Sequence, residues 1–523
     1  MLTRLKVSGF KNLMDVDIRF SPFTCIAGAN GVGKSNLFDA IQFLSALSDR
    51  SLIEAARSIR DEEGRTSDVR SLFHRVGDAY DTEMSFEAEM IIAMNGIDDL
   101  GQQAEASSTF LRYTLIIAYR LEQNYSKSLG SLEILKEELI RFNKSDLAEN
   151  LSFEHSKQWI NSLFKSQSQR RAPFISTEGT KKDAARKIRV HQDSGSSERQ
   201  EGGSTGSKTR RFLARTLPRT VLSESNAIES PTALLVKREM QSWKILQLEP
   251  SALRKPDEFM SDDTLGMDGS HLPATLYRLA KFHEEEVIDQ ESMDNIEQQV
   301  YANVANTLSE LIHDVDSVTI DRDEKRQLLT LLVQARDGTS HPARALSDGT
   351  LRFLALAVLN LDHQTKGLLC LEEPENGIHP ERIPAILKLL QSIATDVNEP
   401  VDIDNPLRQV IINTHSPAVV LQVIDESLVV AELKEIVKDR KRYKGVRFSC
   451  LSNTWRTKDA SVSVVAKGKL LGYLNPVVAN ENLDDSSSSK NSKVKSTRKL
   501  RVTDREDMKP YITGFMEMYP SHD

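Results

Sequence analysis

Gly28-Ala29-Asn30-Gly31-Val32-Gly33-Lys34-Ser35 is the stretch on which the reading of this chain turns. It has the spacing G-x-x-x-x-G-K-S. A short apolar run, Thr24-Cys25-Ile26-Ala27, precedes it, and Leu37, Ala40, Ile41 and Leu44 recur at helical spacing through Ser35–Leu47 behind it. Strand, glycine-rich loop and helix in that order form a phosphate cradle. The glycines let backbone amides turn inward, and the helix N-terminus adds partial positive charge. Lys34 is expected to reach the β- and γ-phosphates of ATP and the Ser35 hydroxyl to ligate Mg²⁺. Asn30, Gly31, Gly33 and Asn36 complete the expected nucleotide contact.

More than 300 residues downstream, Leu368-Leu369-Cys370-Leu371-Glu372-Glu373-Pro374-Glu375 reads as a buried strand that ends in acids. A parallel strand delivers such carboxylates to the crevice where phosphates bind. Glu372 is expected to hold Mg²⁺ through its water shell, and Glu373 to orient or deprotonate the attacking water. Upstream of the acids, Leu346-Ser347-Asp348-Gly349-Thr350 opens the apolar helix Leu351–Leu361. Alone it reads as a capping turn; beside the acids it is a second anion site, with Ser347 and Gly349 as contacts. Asn413-Thr414-His415-Ser416 follows the strand Gln409–Ile412 and puts His415 where a γ-phosphate sensor belongs.

In this order, the four motifs resemble the ABC-type ATPase set: phosphate loop, LSxG-type signature, EEPE acids and His switch. Gly9-Phe10-Lys11-Asn12 and Lys34-Ser35-Asn36 resemble the RecF/SMC branch. LEEPENGIHP followed by INTHSP resembles the overcoming-lysogenization-defect group, and within it the ATPase subunits of Septu antiphage systems, including retron-associated forms. The resemblance covers about residues 1–50 and 340–420 closely and the middle in outline. It implies an α/β fold: an ABC-type P-loop ATPase head, a mixed sheet flanked by helices, carrying an inserted α+β arm region and a flexible basic insertion. It also implies a homodimer or higher even oligomer closed by an ATP sandwich, in which Ser347 and Gly349 serve the neighbouring chain's nucleotide. Lys34, Glu373 and His415 are then the catalytic set, and the partner is a separate nuclease of HNH type. Two departures stand out: Glu372 occupies a metal position that is Asp in many relatives, and Asp348 stands where transporters carry Gly. The alternative is a RecF-like repair or loading ATPase that binds DNA with ATP. A transporter subunit fits poorly, because Lys34 and Ser347 lie 313 residues apart (347 − 34).

The motifs divide the chain into residues 1–95 and 326–430 as two parts of one head, with 96–325 inserted between them. Residues 431–479 read as further strands, and 480–523 as a polar linker and tail. Residues 270–315 are helical without a sustained heptad, which excludes a long coiled-coil arm. From Lys165 to Arg219 there are 14 basic against 5 acidic residues, a local +9 on a chain whose net charge is −8. That segment reads either as a solvated mobile loop or as a basic arm for DNA or non-coding RNA. Three cysteines without a CxxC argue against a disulfide framework or a zinc site. The longest apolar run, Phe353–Leu361, is about half of a ~20-residue membrane span. A cytoplasmic protein without a membrane partner is expected. Only 107 residues follow Ser416 (523 − 416), with no acidic pattern for a nuclease in the same chain.

Overall fold

Leu2–Ser8 (β1) and Val16–Arg19 (β2) alternate buried and half-buried residues, whereas Phe23–Ala27 (β3) is buried along its whole length. Alternation suits an antiparallel sheet with one covered face, and continuous burial suits a parallel sheet covered on both. The computed structural model follows both rules. It describes residues 1–59, 68–120, 131–142, 150–164, 172–180, 183, 185–193, 210–281, 290–438, 441–459, 462–466 and 470.

The antiparallel sheet has eight strands. After β1 and β2 come Glu83–Ile91 (β4), Phe110–Arg120 (β5), Ser131–Arg141 (β6), Ile175–Glu178 (β7), Lys187–Val190 (β8) and Arg210–Leu213 (β9), in the order β9-β8-β7-β6-β5-β4-β1-β2. Two expectations are corrected here. The division at residues 95/96 cuts through one sheet, because β4 pairs with β5 from Glu83↔Ala118 to Ile91↔Phe110. Within the basic segment 165–219, expected to be mobile, residues 172–180, 183, 185–193 and 210–219 include three strands of four residues each, and the rest of it lies outside the described residues. Ile175, Ile188, Val190 and Phe212 fall on the core side of these short strands. Part of its positive charge is also paired: Arg186 with Glu133, Arg189 with Glu178, Arg210 with Glu229 and Arg219 with Glu224.

The second sheet carries the phosphate loop. Lys34–Leu47 (α1) leaves β3 and buries Leu37, Ile41, Phe43 and Leu44 between the two sheets, where Phe43 meets the rings of Phe10 and Phe86. The other strands are Lys244–Leu246 (β10), Gly367–Glu372 (β13), Arg408–Thr414 (β14), Leu428–Lys438 (β15), Lys441–Cys450 (β16) and Ser463–Val464 (β17). Their order is β10-β13-β14-β3-β15-β16-β17, parallel from β10 through β15. The strands β15, β16 and β17 therefore belong to the same sheet as β3, and the inserted region supplies its edge strand β10. Leu368, Cys370, Ile411 and Ile26 face the core shared with the antiparallel sheet. Leu369, Leu371, Val410, Ile412 and Cys25 face the opposite core.

That opposite core is closed by the helices Leu272–Lys281 (α2), Gln290–Ser309 (α3), Asp348–Leu361 (α4) and Ile383–Ile393 (α5), and by the hairpin Val315–Asp323 (β11) and Leu328–Ala335 (β12). Each fully buried Leu, Val or Phe contributes about 1.5–3 kcal/mol, so the layers are held mainly by this apolar burial. Cys25, Cys370 and Cys450 are all buried and unpaired. Among the described residues no helix is long and apolar enough to cross a membrane. The tail at 480–523 lies outside the described residues.

A β-bulge between Ile134 and Lys136 turns Glu137 of β6 into the core. Its carboxylate accepts N–H bonds from Val221 and Leu222, each 2.8 Å, and the Tyr113 hydroxyl at 3.1 Å, so it ties the 220–224 turn to the sheet. Burial pushes this carboxyl up to about 7, against the pull of those three donors. The folded protein therefore holds the proton longer than the unfolded chain. Its stabilising contribution is complete below pH ~4.5 and is lost as pH rises through about 7, a difference of about 3 kcal/mol. Urea unfolding at pH 5 and pH 8 should show a larger loss of stability in the wild-type protein than in Glu137→Gln. Equal pH dependence of the two would contradict this assignment.

Candidate functional site

Four parallel strands end within two residues of one another. Leu246 lies beside Leu371, Glu372 beside Asn413, and Thr414 beside Ala27. The residues that follow each strand, Gln247, Glu373, His415 and Gly28, therefore gather at one end of the sheet, the carboxyl edge where α/β sheets bind ligands.

The loop from Gly28 to Gly33 is shaped by its neighbours. A Cβ on Gly28 would stand 2.7 Å from the Ala431 carbonyl oxygen, and one on Gly33 would stand 2.3 Å from Nδ2 of Asn12. Gly31 and Gly33 have φ of 76° and 106°, a region glycine enters without strain. Asn12 braces the loop from outside: it donates to the Val32 carbonyl at 3.2 Å and accepts from Asn36 Nδ2 at 2.8 Å. Gly33 caps α1 without a side-chain hydrogen bond, Asn30 and Gly31 are exposed, and the Asn36 N–H turns back on the Gly33 carbonyl at 3.2 Å. Lys34 bends back to the carbonyls of Gly28 at 2.7 Å and Ala29 at 3.0 Å. Burial lowers its pKa, partly offset by the charges of Glu373, Glu372 and Glu375.

Glu373 is held in a left-handed conformation with φ 47°, unusual for a residue with a side chain and typical of functional turns. Its N–H donates to the Asn413 carbonyl at 3.0 Å, so β14 fixes the turn. One carboxylate oxygen meets His415 Nδ1 at 2.5 Å and the other accepts from Asn376 at 2.9 Å. Burial works to raise this carboxyl, but hydrogen bonds from Asn376 and His415 and the charges of His415 and Lys34 outweigh it and hold it below its ordinary value. Glu372 ends β13 on the same edge and lines a cleft of about 390 Å³ with Gln247, Glu249, Arg352 and Asn376.

Ser347 and Gly349 sit at the start of α4. The Ser347 hydroxyl caps the helix by accepting from the Thr350 N–H at 3.2 Å. A Cβ on Gly349 would be 2.2 Å from the Gly377 carbonyl oxygen, so only glycine lets α4 approach the turn after Glu373. Arg254 pairs with Asp348, and Arg352 donates to the Asn376 carbonyl at 2.9 Å. Among the described residues no hydrogen bond joins Ser347 or Gly349 to residues 28–36. The structure thus gathers Lys34, Glu372, Glu373 and His415 at one edge, and keeps the signature on the far side of the 373–377 turn.

The donors suit a nucleoside triphosphate. The α1 N-terminus, which no side chain caps, and the Lys34 ammonium match phosphate oxygens. Ser35 and Glu372 offer the hard oxygen ligands that Mg²⁺ prefers. Among the described residues no cluster of three acidic, His or Cys side chains could hold a metal alone. A cation here would share its shell with phosphate oxygens, as such sites usually do. Sequence reasoning did not find Gln247, whose three-residue strand is too short for a periodicity signal. It also gave no role to Asn12, Asn376 or Asn413, whose work is visible only as contacts.

A family model described as an AAA ATPase domain matches residues 1–420. The DNA replication and repair protein RecF of Phocaeicola vulgatus is 44% identical over 46 residues, 9% of this chain and 12% of that protein. RecF of Bacteroides thetaiotaomicron is 39% identical over 64 residues, 12% of this chain and 17% of that protein. Each match thus spans a small part of the curated relative. Among solved structures, the SmcHead bound to the C-winged helix domain of ScpA is 14% identical, with a TM-score of 0.42 over 86% of this chain and 98% of that one. The SMC head domain from Thermotoga maritima is 11% identical, with a TM-score of 0.32 over 86% of this chain and 99% of that one.

Gly31 and Gly33 separate two kinds of glycine requirement. Alanine at either position must adopt a positive φ, but only Gly33→Ala also meets Asn12. Gly33→Ala should lower stability by about 1–3 kcal/mol and by more than Gly31→Ala does, read as thermal midpoints. A Gly33→Ala protein as stable as Gly31→Ala would contradict the bracing role of Asn12.

Proposed function

The chain belongs to the AAA ATPase domain family, and on that premise we propose that it is a Mg²⁺-dependent ATPase of the RecF/SMC type acting as a nucleotide switch. The observation that carries this reading is the Glu373–His415 pair at 2.5 Å, on the strand edge that also presents Lys34. Residues 28–36 bind the phosphates through Asn30, Gly31, Gly33 and Asn36, while Lys34 leaves the Gly28 and Ala29 carbonyls for the β- and γ-phosphates. Ser35 and Glu372 would hold Mg²⁺, which supplies charge neutralisation on the phosphate oxygens. Glu373, kept ionised, accepts a hydrogen bond from the attacking water and orients it; His415 holds Glu373 and senses the γ-phosphate. The water oxygen bonds to the γ-phosphorus as the bond to the ADP oxygen breaks.

Ser347 and Gly349 complete the site of a second copy, in a head-to-tail dimer closed by ATP. Their position across the 373–377 turn, without a hydrogen bond to the loop of the same chain, supports this reading. The wording of 371–380 and 412–417 supports a cytoplasmic antiphage role in which the dimer controls a separate HNH-type nuclease. The RecF-like reading, a repair or loading ATPase that binds DNA with ATP, is favoured by the short RecF matches alone.

Lys34→Ala should weaken ATP binding roughly a hundredfold, the loss of two charge-assisted contacts. Glu373→Gln should bind ATP normally, hydrolyse it about a hundredfold or more slowly, and elute as a dimer when ATP is present. Normal ATP affinity in Lys34→Ala defeats the site assignment, and a monomeric Glu373→Gln with ATP defeats the sandwich. Co-purification with a nuclease whose DNA cleavage changes with nucleotide supports the defence role. ATP-dependent DNA binding by the chain alone supports the RecF-like one.

A further inference from the structure

Glu375 has no part in the scheme above, yet it is placed as if it did. It lies three residues beyond Glu372, where a surface turn would be expected, and is only 7% exposed. Oε1 accepts a hydrogen bond from the Thr414 hydroxyl. Oε2 is buried without a hydrogen-bond partner among the described residues. Burial raises this carboxyl above the ordinary range, despite the hydroxyl of Thr414. A buried acceptor left unsatisfied destabilises the fold, and an apolar side chain of similar size would not. A cost of that kind at the edge of the site calls for a return elsewhere.

Thr414 shows what the return is. A hydroxyl has one proton and two lone pairs. With its proton given to Glu375, the Thr414 oxygen presents a lone pair to the Ser416 N–H, 2.9 Å away. That bond closes the turn through His415, whose Nδ1 meets Glu373. The Thr414 carbonyl accepts from the Gly28 N–H at 3.2 Å, where the phosphate loop begins. One threonine therefore joins the buried carboxylate, the His415 turn and the first residue of the loop. Without Glu375 the hydroxyl proton loses its fixed acceptor, and the orientation that aims a lone pair at the Ser416 N–H is no longer enforced.

We propose that Glu375 is a positioning residue: acting through the Thr414 hydroxyl, it holds His415 on Glu373 and Gly28 on its strand, and so governs hydrolysis without touching the nucleotide. This rests on the ATPase reading above. Glu375→Gln keeps an oxygen for Thr414, Glu375→Ala removes it, and Thr414→Val deletes the hydroxyl at nearly constant volume.

The test is steady-state ATP hydrolysis by the full chain, with His415→Ala and Glu375→Ala/His415→Ala alongside. Glu375→Ala and Thr414→Val should each lose about 10–100-fold in kcat with KM within about threefold, and Glu375→Gln should stay within about threefold of wild type. The double variant should be no slower than His415→Ala, because both changes remove the same contact. Wild-type kcat in Glu375→Ala or Thr414→Val, losses that appear in KM instead, or losses that multiply in the double variant would each overturn the proposal. Should Glu375→Ala fail to fold, Thr414→Val decides. A wild-type protein that does not hydrolyse ATP overturns the ATPase reading itself; an active one with unaffected variants overturns this inference alone.

Discussion

Parallel register is the constraint on which the site depends. In a parallel sheet every strand ends on the same edge, and here the strands ending at Leu246, Glu372, Thr414 and Ala27 stop within two residues of one another. Residues drawn from four distant parts of the chain meet because their strands stop together, not because a loop reaches across. The same register explains why both faces of these strands are apolar. A slip of one residue would turn Cys370 and Ile411 to the wrong core and withdraw the acids from the edge. Packing between the sheets, through Phe10, Phe43 and Phe86, therefore also protects the chemistry.

Charge at that edge is balanced with little to spare. Three glutamates, one lysine and one histidine share a small volume. Burial disfavours the charge on Lys34, and the carboxylates offset only part of that. Glu373 stays ionised because Asn376, His415 and Lys34 stabilise it against burial, while at Glu375 burial outweighs the hydrogen bond from Thr414. Adjacent carboxylates are thus driven in opposite directions by their neighbours, which separates an orienting group from a supporting one. The left-handed backbone at Glu373 adds strain at the same point, over-determined by the Asn413 contacts.

Much of this was legible in the sequence. The strand before the phosphate loop, the α1 helix, the strand that ends in Glu372 and the His415 turn all carry either a periodic apolar pattern or a spaced motif. What escaped had no such signal. β10 is three residues long and lies within a region that shares no motif, so the partner strand of β13 and Gln247 beside it were invisible. The strands at 175–213 were masked by arginines, because short strands at a sheet edge need only one apolar residue in two and tolerate charge on the other face. Asn12, Asn413 and Thr414 act through hydrogen bonds, and a hydrogen bond leaves no period in a sequence.

The proposed composite site, one chain's strand edge with another chain's signature, is tested most directly by mixing two defective proteins. Lys34→Ala spoils the strand-edge half of the site, and Ser347→Arg spoils the signature half. Each homodimer then has two damaged sites, whereas a mixed dimer has one intact site. The account predicts that each variant alone is nearly inactive and that an equimolar mixture recovers about a quarter of wild-type ATP hydrolysis, since half the dimers are mixed and each has one working site. A mixture no more active than its separate parts, or a Ser347→Arg protein with the wild-type rate, would contradict it.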